Sequence, residues 1–192
     1  MYKAQNQDQK AAELIQATVS RPNLPDEVQR ILAKLAEEVD QQGLAEQILK
    51  GLVQRSDQAA NRLALATLLA RRDRMNEALD QCEQLWKAPI NPEELIGGTM
   101  EVLHAVEGKT PEPAQVERVA SWVQKGLAQK PTSSALLTGL ASLREMQGKY
   151  QEATDLYRRD ISQGGGGVAT LNNLAWLMAL TNDKPSAALE LI

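Results

Sequence analysis

The side chains with the widest chemical range in this sequence are one cysteine and one histidine, Cys82 and His104. A thiol beside an imidazole is the smallest set for covalent catalysis, because the imidazole removes the thiol proton and leaves a nucleophilic thiolate. The two would meet only if neighbouring structural units touch. Cys82 stands in an apolar helical pattern, where a thiol acts as a small, inert hydrophobe. His104 reads as a partly exposed helix residue. One histidine and one cysteine do not close a zinc site without carboxylates, and the acids are spread along helix faces as solvated i, i+4 neighbours. The run Gly164–Gly167 precedes a helical stretch, where a phosphate-cradling loop would require a terminal Lys-Ser or Lys-Thr. Val168-Ala169 follows instead. The run is expected to be a linker and local hinge, since glycine loses the most entropy on ordering. No catalytic set, cofactor or metal is expected, and the chain reads as a non-enzyme.

Composition points to the kind of scaffold that holds these residues. Of 192 residues 43% are apolar and 24% charged, with three Trp, three Tyr and no Phe. Ala and Leu dominate; they favour helices, and the residues that favour strands are scarce. The net charge of −4, with no basic tail, argues against nucleic acid as a partner. The one dense basic patch, Arg71, Arg72 and Arg74, reads as a solvated corner at a turn. A single cysteine forms no internal disulfide, so either redox compartment fits. No run approaches 18 apolar residues, and the opening MYKAQNQDQK has no apolar signal core. Membrane insertion by this segment is therefore not expected, and cytoplasm and periplasm fit equally.

The organising feature is a repeat. Ala12, Ala45, Ala78, Ala120, Ala153 and Ala187 are separated by 33, 33, 42, 33 and 34 residues. Twelve residues before four of them stand Ala33, Ala66, Ala141 and Ala175, each preceded by a leucine. Two antiparallel helices approach closely only where the facing side chains are small, so an alanine on each at a fixed offset marks their crossing. Gly43, Asp73, Gly148 and Asn182-Asp183 mark turns within pairs. Pro22–Pro25, Ser56-Asp57, Asn91-Pro92 and Pro131–Ser134 mark turns between them. Asn91-Pro92-Glu93-Glu94 reads as an N-cap, a first-turn proline and an acid reaching back, and Thr110–Pro113 opens another helix. The map is a lone second-type helix at 4–20, then pairs within 25–55, 58–87, 92–129, 134–162 and 168–192, forming one domain over 1–192.

These residues resemble the tetratricopeptide repeat, in which Leu and a small residue follow a large one, and an alanine and then an aromatic mark the second helix. The match is best at Leu137, Leu140-Ala141, Ala153 and Tyr157, with Gly148 at the inner turn. Leu171, Leu174-Ala175 and Trp176 follow closely. Arg62, Leu65-Ala66, Ala78 and Cys82 fit well, and Gln29, Leu32-Ala33 and Ala45 more loosely. The pair 92–129 departs, with about nine extra residues around Glu107–Pro113 and Gly97-Gly98 in its first helix. The resemblance implies an all-α, right-handed solenoid of about five repeats, and the style of the repeats resembles bacterial members. The chain starts and stops within repeats, so the expectation is a window cut from a longer array; self-association through exposed end repeats is the alternative.

Resemblance to tetratricopeptide proteins implies that ligands lie against the first helices, on the concave side. The positions facing away from the Leu-Ala seam are Arg30, Lys34 and Glu37; Leu63, Thr67 and Arg71; Thr138, Ser142 and Glu145; and Asn172, Asn173 and Trp176. Asn173 offers a donor and an acceptor to an extended peptide, and Trp176, one turn on, offers an apolar anchor. Alternatively, Asn173 bonds the adjacent helix and Trp176 packs against the next unit. The Lys and Asn clamp by which some family members hold chaperone carboxyl termini is incomplete, because the second pair presents Leu63 and Thr67. The leading expectation is a scaffold or adaptor that binds a protein or peptide segment. The other reading is a spacer or regulatory part of a larger enzyme or membrane-associated assembly.

Overall fold

The computed structural model describes residues 2–106 and 108–181, and the side chains from residue 8 onward. The expected turn at Asn182-Asp183, the helix at 185–192 with Ala187, and Glu107 lie outside the described residues. The helices are α1 (Tyr2–Val19), α2 (Asp26–Glu38), α3 (Gln42–Arg55), α4 (Ala59–Arg71), α5 (Met75–Lys87), α6 (Pro92–Leu103), α7 (Pro113–Gln129), α8 (Ser134–Met146), α9 (Tyr150–Ser162) and α10 (Val168–Leu180). The described residues hold no strand, and ten helices make about five helix pairs. The backbone divides into two compact units, 1–85 and 86–192, parted in the last turn of α5.

In the first unit α2 packs on α3 and α4, and α1 packs on α2 and α3. The recurring alanines lie at these crossings: Ala33, Ala45, Ala66 and Ala78 are all buried. Ala12 is only partly buried, because α1 has no first-type partner among the described residues. The inner turns pivot on left-handed residues, Asp40 (φ 56°) and Asp73 (φ 62°), each seven residues after the small Ala33 or Ala66. Gly43, expected to make the first of these turns, lies inside α3. Asp40 does so instead, and the Gln41 amide caps the open Ala36 carbonyl at 2.7 Å.

In the second unit α8 packs on α6, α7 and α9, and α9 on α10. Ala141, Ala153, Tyr157, Leu174, Ala175, Leu177 and Met178 form one buried cluster. The register of α6 follows from its caps and its aromatic neighbours. Asn91 Oδ1 accepts the Glu93 amide at 3.2 Å, and Pro92 stands in the first turn. The acid joining Asn91 is Glu93 rather than Glu94, and Lys130 holds it from the start of the next connection at 2.6 Å. Trp86 Nε1 donates to the buried Thr99 at 3.0 Å and stacks on Trp122 of α7 at 6.3 Å. The extra length of this pair is carried by 104–112 and by the 17-residue α7, which opens on a capping box between Glu112 and Gln115. The close crossing here is made at Gly139 of α8: a Cβ on Gly139 would stand 2.6 Å from Ile96 Cγ1, whereas Gly97 has open space.

The glycine run is more than a spacer. Gly164 and Gly166 have φ near 82° and 87°. The amides of Gly165 and Gly166 donate to the Asp160 carbonyl at 3.0 Å and to its Oδ2 at 3.1 Å. Asp160 is 1% exposed, and its Oδ1 has no hydrogen-bond partner and lies against Gly165. A Cβ on Gly165 would come within 2.0 Å of that oxygen. The loop is shaped around the carboxylate, and only glycine fits.

Candidate functional site

In the first unit the first-type helices α2 and α4 lie side by side, and their outward residues frame one groove of about 190 Å³. Its lining includes Arg30, Lys34, Glu37, Thr67 and Arg71, over a floor of Ala33, Leu49, Ala64 and Leu68. Thus four of the eight expected site residues, Arg30, Lys34, Thr67 and Arg71, come together here. The floor was not anticipated as part of the site; its signal is that Ala33 and Ala64 are small where two helices must part. Arg30 is tied down from below: its Nη1 donates to Asn61 Oδ1 at 2.7 Å. Asn61 is fully buried and donates to Asp26 at 2.8 Å and to the Ser56 carbonyl at 2.9 Å. The Asn61 amide therefore spends its hydrogens on partners it must satisfy once buried. It also holds the Asp26 carboxyl below its usual range. Thr67 donates to Leu63 within its own helix at 2.9 Å. Arg71 faces Glu37 at 3.5 Å. No acid pairs with Lys34 among the described residues.

Beside Arg71, the cations Arg72 and Arg74 form an ion-pair network rather than a bare corner. Glu46 of α3 meets Arg72, Arg74 at 2.9 Å and Lys50 at 2.8 Å, and Arg74 also meets Glu77 at 2.6 Å. The Lys50 bond, with Arg74 behind it, holds the Glu46 carboxyl down at about 2. The network fastens the α4–α5 turn to α3, so these cations serve the fold.

In the second unit Ser142, Glu145 and Asn173 converge on one atom, the phenolic oxygen of Tyr157. Tyr157 is fully buried in α9, between α8 and α10. It donates to Glu145 Oε1 at 2.6 Å, accepts from Asn173 Nδ2 at 3.1 Å, and lies 3.4 Å from Ser142 Oγ. Burial, reinforced by the bond to Glu145, pushes the phenol up to about 12, and burial also raises the Glu145 carboxyl. Asn173 therefore does bond the adjacent helix, through its amide nitrogen. Trp176 is 54% exposed, one turn beyond, and Asn172 is exposed beside it. Tyr157 was expected only as a packing aromatic. The equivalent residues of the first two pairs are Leu49 and Cys82, so the hydroxyl is the signal that this pair is polar inside.

Cys82 is fully buried in α5. His104 is exposed at the end of α6, where its Nδ1 donates to the Met100 carbonyl at 2.8 Å and closes the helix. Among the described residues no group of three His, Cys, Asp or Glu could hold a metal, and no helix is long and apolar enough to cross a membrane.

No protein-family model matches the chain, and no curated protein matches it. Solved structures do. MamA, residues 41 to the end, from Desulfovibrio magneticus RS-1 superposes with a TM-score of 0.55 at 11% identity, over 86% of this chain and 90% of that one. The nearly identical TPR-like repeats of a Podosopora anserina kinesin light chain superpose with a TM-score of 0.57 at 19% identity, over 88% and 93%. At such low identity the likeness speaks for architecture alone, and it agrees with the internal alanine periodicity: this chain has the fold of tetratricopeptide-like helical repeats.

Proposed function

We propose that the chain is a protein-interaction scaffold and that the α2–α4 groove holds an extended, carboxylate-bearing segment of a partner. The observation that carries this reading is the charge of the groove. Arg30, Lys34 and Arg71 line it against the single carboxylate of Glu37, over an apolar floor. Such a surface offers burial to side chains of an extended segment and charge-assisted bonds to its acids. The Asn61 bond fixes Arg30 in place, so less rotamer entropy is lost when it meets a ligand. Cys82 and His104 are both absorbed by packing and helix closure, which supports a binding rather than a catalytic role.

The test is fluorescence anisotropy of labelled extended peptides, acidic and neutral, with the whole chain. Acidic peptides are expected to bind more tightly. Lys34→Ala with Arg71→Ala is expected to weaken them about tenfold, the sum of two partly exposed charge contacts of somewhat under 1 kcal/mol each. Equal binding of both peptides, or indifference to the double substitution, would overturn the reading.

A further inference from the structure

We propose that the α8–α10 face of the second unit selects a basic side chain, lysine or arginine, from a bound segment. This rests on the reading of first-helix faces as protein-binding surfaces, and it assigns this face a ligand of opposite charge to that of the α2–α4 groove.

The hydrogens around Tyr157 decide what this face can accept. A phenol has one hydrogen and two lone pairs. The hydrogen goes to Glu145, the shortest contact of the set at 2.6 Å. The oxygen can then only accept from its other neighbours. Asn173 must turn its NH2 toward it, 3.1 Å away, which fixes the orientation of the amide. The Ser142 hydroxyl, 3.4 Å away, can then meet the oxygen only as a donor. Apart from the second N–H of Asn173, what the cluster shows to the outside is acceptors: the carbonyl oxygen of Asn173, lone pairs of Ser142 and the carboxylate of Glu145. A carboxylate ligand would meet the Glu145 carboxylate beside the one remaining Asn173 N–H, so like charges oppose a clamp for acidic termini on this face. Lysine and arginine carry several donors, a positive charge and no acceptor.

Charge points the same way. Glu46, Glu37, Glu93 and Glu117 each meet a cation. Glu145 is part-buried, yet it accepts from the neutral phenol, and no cation meets it among the described residues. Trp176 lies one turn beyond Asn173 on α10, as Glu145 lies one turn beyond Ser142 on α8. Its exposed indole offers a face to a guanidinium or ammonium group.

The test uses the whole chain and two labelled peptides, Gly-Ser-Arg-Ser-Gly-Ser-Arg-Ser-Gly and its counterpart with citrulline for both arginines, read by fluorescence anisotropy. Citrulline keeps the shape and loses the charge. The arginine peptide is expected to bind at least about tenfold more tightly. Glu145→Gln, which still accepts from Tyr157, is expected to reduce that preference to about twofold. Should Glu145→Gln lower the helical circular dichroism signal, Trp176→Ala carries the test and is expected to weaken the arginine peptide about threefold. Equal binding of the two peptides, or an arginine preference that survives both substitutions, overturns the proposal. The acidic-peptide assay with Lys34 and Arg71 substituted reports on the first unit separately. Loss of the arginine effect alone sinks this inference, and loss of the acidic effect sinks the broader reading.

Discussion

Gly139→Ala puts the close approach of first-type helices to a quantitative test. A glycine inside a helix costs about 1 kcal/mol relative to alanine, so alanine should stabilise α8 if nothing else intervenes. Here the added Cβ would meet Ile96 Cγ1 at 2.6 Å and Cδ1 at 2.9 Å. Ile96 is buried, and a β-branched residue in a helix has one strongly preferred χ1, so it cannot swing clear cheaply. Overpacking of this kind costs about 1–3 kcal/mol. Gly51, inside α3, has nothing within 4 Å of its would-be Cβ and serves as the control. Gly51→Ala should gain about 0.5–1 kcal/mol. The propensity gain is common to both variants, so their urea-unfolding free energies should differ by the overpacking alone, about 1–3 kcal/mol. Adding Ile96→Ala should shrink that penalty, and a double-mutant cycle would show a coupling of similar size. If Gly139→Ala stabilises the chain as much as Gly51→Ala does, the helices do not nest at this point and the packing argument fails.

Three further outcomes follow from individual contacts. Asp40→Gly removes the cost of a left-handed L-residue and should raise stability by about 0.5–1 kcal/mol, read as a higher melting temperature; a lower one would show that the Asp40 side chain stabilises the turn. Gly165→Ala drives a methyl group into the Asp160 carboxylate and should cost about 1–3 kcal/mol in urea unfolding, whereas a glycine serving only as a hinge would tolerate it. The folded-state value of Glu46, about 2 against 4.5 for an unperturbed carboxyl, means that its ion pairs contribute fully above about pH 4.5 and are lost as pH falls toward 2. Glu46→Gln should flatten this part of the pH dependence of stability and lower stability at pH 7; an unchanged profile would show that the network contributes nothing.

The helices were legible because their signals are local and repeated. Among the periodic alanines, Ala33, Ala45, Ala66, Ala78, Ala120, Ala141, Ala153 and Ala175 are buried, and Pro113 and Ser134 start helices where their chemistry says they should. Gly43 is the stronger cue for a turn in one dimension, but Asp40 makes it. The period itself held the better signal, because Asp40 precedes Asp73 by 33 residues. The glycine run looked like a linker because one-dimensional reading cannot see Asp160 folded beneath it. Outward positions of the first helices were legible from the Leu-Ala seam. Their hydrogen-bond polarity was not, since it depends on where one phenolic hydrogen points, and that is set by Glu145, Ser142 and Asn173 arriving from two other helices. The ion pairs of Arg72 and Arg74 were hidden for the same reason, as Glu46 comes from a different helix pair.

Backbone amide chemical-shift mapping by NMR, during titration with a labelled acidic peptide, asks most directly whether the α2–α4 groove is a protein-binding surface. The largest shifts should fall on Arg30, Lys34, Thr67 and Arg71 and on the groove floor at Ala64 and Leu68. Shifts confined to the outward face of α3, around Gln47 and Gln54, or no shifts at all, would contradict it.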